Sequence, residues 1–175
     1  MTAVHRIPSP LGQLTLAADG QAITGLWMEG QKYFCSGISN DVKEIDLPVF
    51  QQAEAYLSAY FAKAPLPPLP PLRPAGTVFQ QAVWALLAEI PCGRTRTYGD
   101  LATELRRRGT AAGPRAVGAA VGRNPISILI PCHRCVGAGG SLTGYAGGLA
   151  RKRFLLELEG VDLAELHTPA RGSAL

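Results

Sequence analysis

Ile128-Leu129-Ile130-Pro131-Cys132-His133-Arg134-Cys135-Val136 is the stretch on which the reading of this chain turns. Three apolar residues run into a proline, and a cysteine, a histidine and an arginine follow. The pattern predicts a short buried strand, stopped by Pro131 because proline cannot donate to a sheet ladder. Cys132 is then expected at the strand's rim, beside two side chains able to carry positive charge. A free thiol has a pKa of ~8.5, so only a small fraction is thiolate at neutral pH. Cationic or hydrogen-bonding neighbours lower that value and make the sulfur a nucleophile. A structural cysteine beside a turn would carry the same residues, so adjacency alone does not choose between the two.

Upstream of this stretch the spacing predicts three helices. Thr77-Val78-Phe79-Gln80 matches a capping box, and Phe79, Val83, Leu86, Leu87 and Ile90 fill one helical face before Pro91-Cys92-Gly93 ends it. Cys92 reads there as structural. Thr97 caps a second helix over 97–105. A basic, glycine-containing turn at 106–113 follows. Pro114 then opens a third helix over 114–121, where its missing N–H costs nothing. Helix, short turn, helix is the helix-turn-helix layout. The third helix is nearly bare: Ala116, Gly118, Ala119 and Ala120. Such a surface approaches a backbone or a narrow groove closely but reads little sequence, since base readout needs long polar side chains. Tight helix packing is the alternative explanation. After the cysteine comes a glycine-rich loop, 141–148. A closing helix over 149–159 follows, with Phe154, Leu155 and Leu158 apolar and Gly160 just past its end.

The N-terminal part reads differently. Residues 14–18 and 23–28 alternate as strands around Asp19-Gly20, a hairpin signal because both positions tolerate positive φ. Residues 29–46 are polar and irregular. Apolar residues from Val49 to Phe61 have helical spacing, with Asp46 as N-cap. Six prolines within 64–74 make a stiff extended connector, ~3.1 Å per residue, unable to join a ladder. The expected architecture is therefore an α/β N-terminal domain, a small antiparallel sheet plus a helix, in residues 1–74. It is joined to a mainly α C-terminal domain with a helix-turn-helix, residues 75–167, and a tail at 168–175.

Bulk properties limit the functions available. No apolar run is long enough for a membrane span, and Met1 to Arg6 lacks the apolar core of a signal peptide, so a cytoplasmic monomer without membrane contact is expected. Cys35, Cys92, Cys132 and Cys135 are expected as free thiols. Residues 1–74 carry five Lys and Arg against six Asp and Glu, whereas residues 75–175 carry twelve against seven. The basic surplus thus lies in the half that holds Cys132 and favours a polyanionic partner.

Pro131-Cys132-His133-Arg134 after an Ile-Leu-Ile run, with Asn124-Pro125 before it and Gly144-Tyr145 after it, resembles the O6-alkylguanine-DNA alkyltransferase family, the methylated-DNA–protein-cysteine methyltransferases. The resemblance covers roughly residues 75 to 160. It implies transfer of an alkyl group from O6-alkylguanine, and from O4-methylthymine, in flipped-out duplex DNA to the protein's own cysteine, once per molecule and irreversibly. Residue by residue, it implies that Cys132 accepts the alkyl group. His133 would take the thiol proton through a water, and Glu159 would orient the histidine. Tyr98 would donate a hydrogen bond to the leaving base, and Asn124 would brace the turn before the cysteine. Arg115 would enter the base stack, with Ala116, Gly118 and Ala119 against the minor groove. Tyr145, Cys135, Ala146, Gly147 and Pro125 would line the substrate pocket. A glutamate near a helix C-terminus opposes the helix dipole, so Glu159 calls for a compensating partner.

Two positions depart from the family pattern: Cys135 replaces the usual valine, and Ala146 stands where some members have serine. At both, the family uses backbone groups, so neither change alters the reading. Family members often hold zinc in the N-terminal domain. Here that half offers only Cys35 and His5 as cysteine and histidine, so no metal and no cofactor are expected. Cys132 and Cys135 form a CxxC pair, which leaves a thiol-disulfide oxidoreductase as a rival reading. That chemistry would want the pair opening a helix in a βαβ unit rather than preceding a glycine-rich loop. A lesion-binding protein without transfer, or a plain helix-turn-helix regulator, are the other rivals.

Overall fold

The computed structural model describes residues 2–38 and 42–168. Most of the expected tail, 169–175, lies outside the described residues. Two compact units are present: Met1–Ala75 together with Pro125–Leu129, and Gly76–Asn124 together with Ile130–Leu175. No helix among the described residues is long and apolar enough to cross a membrane.

The first unit is a four-stranded sheet and one helix. Its strands are β1 (Thr2–Ile7), β2 (Leu14–Ala18), β3 (Ile23–Met28) and β4 (Val42–Glu44), in spatial order β3-β2-β1-β4. β2 pairs antiparallel with β1 on one side and β3 on the other, and the short β4 adds parallel to β1. All five residues of β2 are buried because both faces are covered. On one face α1 (Pro48–Phe61) lays Val49, Phe50, Ala53, Leu57 and Tyr60 against β2 and β3. On the other, Val4, Ala17 and Trp27 cluster. Gly25 is required beneath that indole: a Cβ there would collide with the Trp27 ring.

Several local expectations are corrected. The β2–β3 connection is a four-residue loop rather than a two-residue turn; the Asp19 carboxylate accepts from the N–H groups of Gln21 and Ala22, and only Gly20 takes positive φ. Leu47, not Asp46, occupies the N-cap of α1, with Pro48 inside the first turn and no side-chain cap. Asp46 instead accepts from Gln51 Nε2. The proline-rich segment does meet the sheet at one point. Ile23 N–H donates to Pro71 C=O and Arg73 N–H donates to Ile23 C=O, both at 2.8 Å. These are groups that the neighbouring prolines leave available.

The buried strand expected over 128–130 does not form. Leu26 and Ile126 make a single bridge, through Leu26 N–H to Pro125 C=O and Ser127 N–H to Leu26 C=O, and the chain then turns. Ile128 sits at φ +70, a conformation rare for a β-branched side chain. The apolar run is explained by burial in a turn: Ile126, Ile128, Leu129 and Ile130 are each 5% exposed or less.

The second unit is mainly helical: α2 (Val78–Ala88), α3 (Tyr98–Arg107), α4 (Pro114–Gly122) and α5 (Leu149–Leu158). Two short strands, β5 (Arg96–Thr97) and β6 (Cys135–Val136), pair in parallel. The capping box at Thr77 and Gln80 is present in both directions. Thr97 caps α3 with Asp100 as its reciprocal partner. α2, α3 and α4 pack on one another, and Trp84 ties α2 to α4 by donating from Nε1 to Ala120 C=O at 2.8 Å. The buried face of α5 is Lys152, Leu155 and Leu156; Phe154 is 37% exposed.

Candidate active site and nucleic-acid interface

Cys132, His133 and Arg134 form a single 3-10 turn directly after Pro131. Asn124 positions its start: Nδ2 donates to Ile130 C=O at 2.9 Å. The Cys132 side chain is inside the protein, 4% exposed. Burial pushes its thiol above the ordinary value. The Asn124 side chain, the Lys152 charge and the N–H groups of Cys132 and His133 act in the opposite direction without overcoming it. The neighbouring His133 and Arg134 were expected to lower the thiol. The opposing contributions come instead from Asn124, from the backbone and from a lysine on α5, and desolvation outweighs them.

His133 is entirely buried. Its Nε2 lies 2.7 Å from Glu159 Oε1, and the Glu159 side chain is 1% exposed. With Nε2–H donating to the carboxylate, a neutral imidazole keeps its lone pair at Nδ1. That atom is buried and has no protein partner among the described residues. Burial holds the imidazole pKa below its usual value; Glu159 pulls it up, and the Arg134 and Lys152 charges push it down. Glu159 is the C-cap residue of α5. The partner it calls for is Arg134, whose Nε and Nη2 fork both carboxylate oxygens at 2.8 and 2.9 Å.

Tyr98 opens α3, and its hydroxyl donates to Thr143 C=O and Gly144 C=O at 3.1 and 3.2 Å. Burial raises its phenol well above the ordinary range, so it remains a donor. Tyr145 is buried in the same loop, with Ala146 and Gly147 half-buried after it. Cys135 is fully buried in β6, and burial pushes its thiol up to about 12. Pro125 groups with the first unit, where its carbonyl accepts from Leu26 N–H. All four cysteines are free thiols. Cys92, read as structural, is exposed. Among the described residues no three His, Cys, Asp or Glu side chains gather to hold a metal ion.

Lys152 is the residue that pattern reading missed. It has no solvent exposure, yet its Nζ donates to Cys135 C=O at 2.6 Å and Thr143 C=O at 3.0 Å. Burial pushes its pKa down to about 8. A lysine on a helix reads as a solvated residue; only the two carbonyls, one on β6 and one on the loop after it, reveal its role.

On α4, Val117, Ala120 and Val121 face inward. Arg115, Ala116 and Ala119 are exposed and Gly118 is half-exposed. A Cβ at Gly118 would rest 3.8 Å from the Tyr98 ring, an ordinary contact, and nothing lies within 4 Å of one at Gly122. Internal packing therefore does not demand these glycines, and the smallness of the helix belongs to its outer surface. The basic turn before α4 is largely engaged within the protein. Arg107 and Arg108 pair with Glu104, Arg108 also forks Glu89, and Arg106 donates to Ala112 C=O.

The family model described as 6-O-methylguanine DNA methyltransferase, DNA binding domain, matches residues 78–161. The model described as 6-O-methylguanine DNA methyltransferase, ribonuclease-like domain, matches residues 4–73. A methylated-DNA--protein-cysteine methyltransferase of Haemophilus influenzae is 44% identical over 171 residues, covering 96% of this chain and 93% of the relative. Its counterpart from Mycobacterium bovis is 48% identical over 159 residues, covering 91% and 93%. Among solved structures, Mycobacterium tuberculosis OGT in complex with DNA has a TM-score of 0.80 at 43% identity, covering 96% of each chain. An O6-methylguanine DNA methyltransferase from Methanococcus jannaschii has a TM-score of 0.62 at 28% identity, covering 97% of this chain and 98% of that one.

Proposed function

Since the chain belongs to the 6-O-methylguanine DNA methyltransferase family, we propose that it is a DNA repair protein that moves the alkyl group of O6-alkylguanine onto its own Cys132. O4-methylthymine is a second substrate of the same chemistry. The observation that carries the assignment of roles is the buried turn in which Cys132 is followed by His133, with Nε2 held by Glu159 at 2.7 Å and Nδ1 left to accept a proton.

The reacting atom of the base lies inside the duplex stack, so the nucleotide is rotated out before transfer. Arg115, exposed in the first turn of α4, takes the vacated place in the stack. The bare face of Ala116, Gly118 and Ala119 rests on the minor groove. Cys132 is a thiol at rest, and its proton passes through a water to His133 Nδ1. The resulting imidazolium is stabilised by Glu159, in the manner of other nucleophile-base-carboxylate sets. The sulfur attacks the alkyl carbon in line. The S–C bond forms as the C–O6 bond breaks, the electron pair stays with guanine, and the proton from sulfur ends on the base. Tyr98, kept protonated by burial, donates to the ring as charge develops, which requires exchanging its loop carbonyls for the base. Tyr145, Cys135, Ala146 and Gly147 are assigned to the alkyl and base pocket.

A thioether has no easy route back to a thiol, so each molecule acts once. Double-stranded DNA is the partner, supported by the basic second unit and by the DNA-bound relative. The protein works as a cytoplasmic monomer, without a cofactor. The test is Cys132→Ala. It is expected to retain preferential binding to duplexes with O6-methylguanine in a gel-shift assay while losing all transfer; transfer persisting in this variant would refute the role of Cys132.

A further inference from the structure

We propose that Arg134 is a positioning residue of the transfer: its guanidinium fork fixes Glu159 on His133 and balances that carboxylate's charge, so that the imidazole rests neutral and ready to accept the Cys132 proton. This inference rests on the roles given above to Cys132, His133 and Glu159.

Arg134 uses its donors in two directions. Nε and Nη2 reach Glu159 Oε2 and Oε1, while Nη1 donates to Ile90 C=O at 2.6 Å. Glu159 in turn is held at both oxygens. Oε1 takes His133 Nε2 and Arg134 Nη2; Oε2 takes Arg134 Nε and, at 3.3 Å, Gly93 N–H. A planar fork of this kind fixes orientation as well as charge, which a lysine cannot do. Arg134 also stands on the same 3-10 turn as the nucleophile. Nucleophile, proton acceptor and clamp are thus one rigid turn, referred to a single carboxylate at the end of α5.

Ionisable groups face the imidazole and its carboxylate from several elements. Glu159 approaches from the C-cap of α5, Lys152 from the body of α5, Arg134 and Cys132 from the turn itself, and Cys92 lies against Glu159 from the loop after α2. A buried carboxylate alone beside His133 would draw a proton onto the ring and form an imidazolium-carboxylate pair, leaving nothing to accept the thiol proton. Arg134 already matches that negative charge and repels a second positive one. Its removal should therefore make His133 more basic, and the positive form would persist to higher pH.

The experiment follows the His133 ring carbons by NMR across pH, together with the pH profile of single-turnover transfer, in intact protein. In Arg134→Gln the titration midpoint and the acid limb of transfer should both move up by about one pH unit. Arg134→Lys, which keeps the charge but loses the fork, should hold the limb near the wild-type position with a lower plateau. If Arg134→Gln does not fold, Glu159→Gln and the neutral pair Arg134→Gln/Glu159→Gln decide: the double variant should titrate His133 at higher pH than Glu159→Gln alone. A merely structural brace would lower transfer equally at every pH and leave the midpoints coincident, which would overturn the proposal. Failure of wild-type protein to methylate Cys132 would refute the function, while the His133 titration would still report on Arg134.

Discussion

His133 Nε2 and Glu159 Oε1 lie 2.7 Å apart with almost no solvent on either side chain. That contact selects the tautomer that leaves Nδ1 as the proton acceptor. Glu159→Gln retains the shape but removes the charge that stabilises the imidazolium. Transfer should fall by roughly 10²-fold, the scale of a lost general-base partner, with lesion binding little changed. Single-turnover rates with methylated duplex, set beside gel-shift affinities, check it; an unchanged rate would remove Glu159 from the chemistry.

The pH dependence has a definite sign. Burial, the largest cause, lowers the His133 pKa from 6.5. The folded protein therefore keeps the imidazole neutral below the pH at which the unfolded chain would protonate it. This contribution to stability is fully present above the unfolded value of about 6.5 and is lost as pH falls through the lower folded value. Chemical denaturation of wild type and His133→Gln at a series of pH values should show an acid-dependent loss in wild type that the variant lacks. Parallel curves would contradict it.

Lys152 ties β6 to the loop ahead of Tyr145 through two carbonyl oxygens. Lys152→Met fills the volume but leaves Cys135 C=O without its donor, a loss of about 1–3 kcal/mol. Amide hydrogen exchange across 137–148 should accelerate and the transfer rate should drop. Unaltered exchange in that segment would show the lysine to be dispensable there.

Arg115 is exposed at the start of α4. Arg115→Ala should leave folding stability within about 0.5 kcal/mol. It should weaken binding to lesion-containing duplex more than binding to undamaged duplex, because only the former requires a flipped base. Fluorescence of a 2-aminopurine placed beside the lesion reports flipping directly. Equal losses in both binding modes would reduce Arg115 to a phosphate contact.

How far the sequence could be read depended on whether a residue's partners were local. The capping box at Thr77 joins groups three residues apart and is legible, as is the cap at Thr97, whose reciprocal partner Asp100 only the structure shows. That Glu159 needs a cation is legible from its place at a helix end, although Arg134 lies 25 residues away and only the fold joins them. β1 was missed because His5 and Arg6 interrupt its apolar pattern; His5 stacks on Phe50 and Arg6 pairs with Glu44 on β4. The strand expected over 128–130 failed because an unbroken apolar run signals burial, not conformation, and Ile128 turns there. Lys152 was hidden for the opposite reason: a charged residue signals exposure unless the carbonyls that receive it are known.

The central claim is that one sulfur takes one alkyl group. Wild-type protein incubated with excess duplex carrying O6-methylguanine, then weighed intact and mapped by peptide mass, tests it most directly. The account predicts a single added methylene, located on Cys132, with an equal amount of guanine restored and no further turnover. An unmodified protein, a methyl on Cys92 or Cys135, or repair exceeding one base per molecule would contradict it.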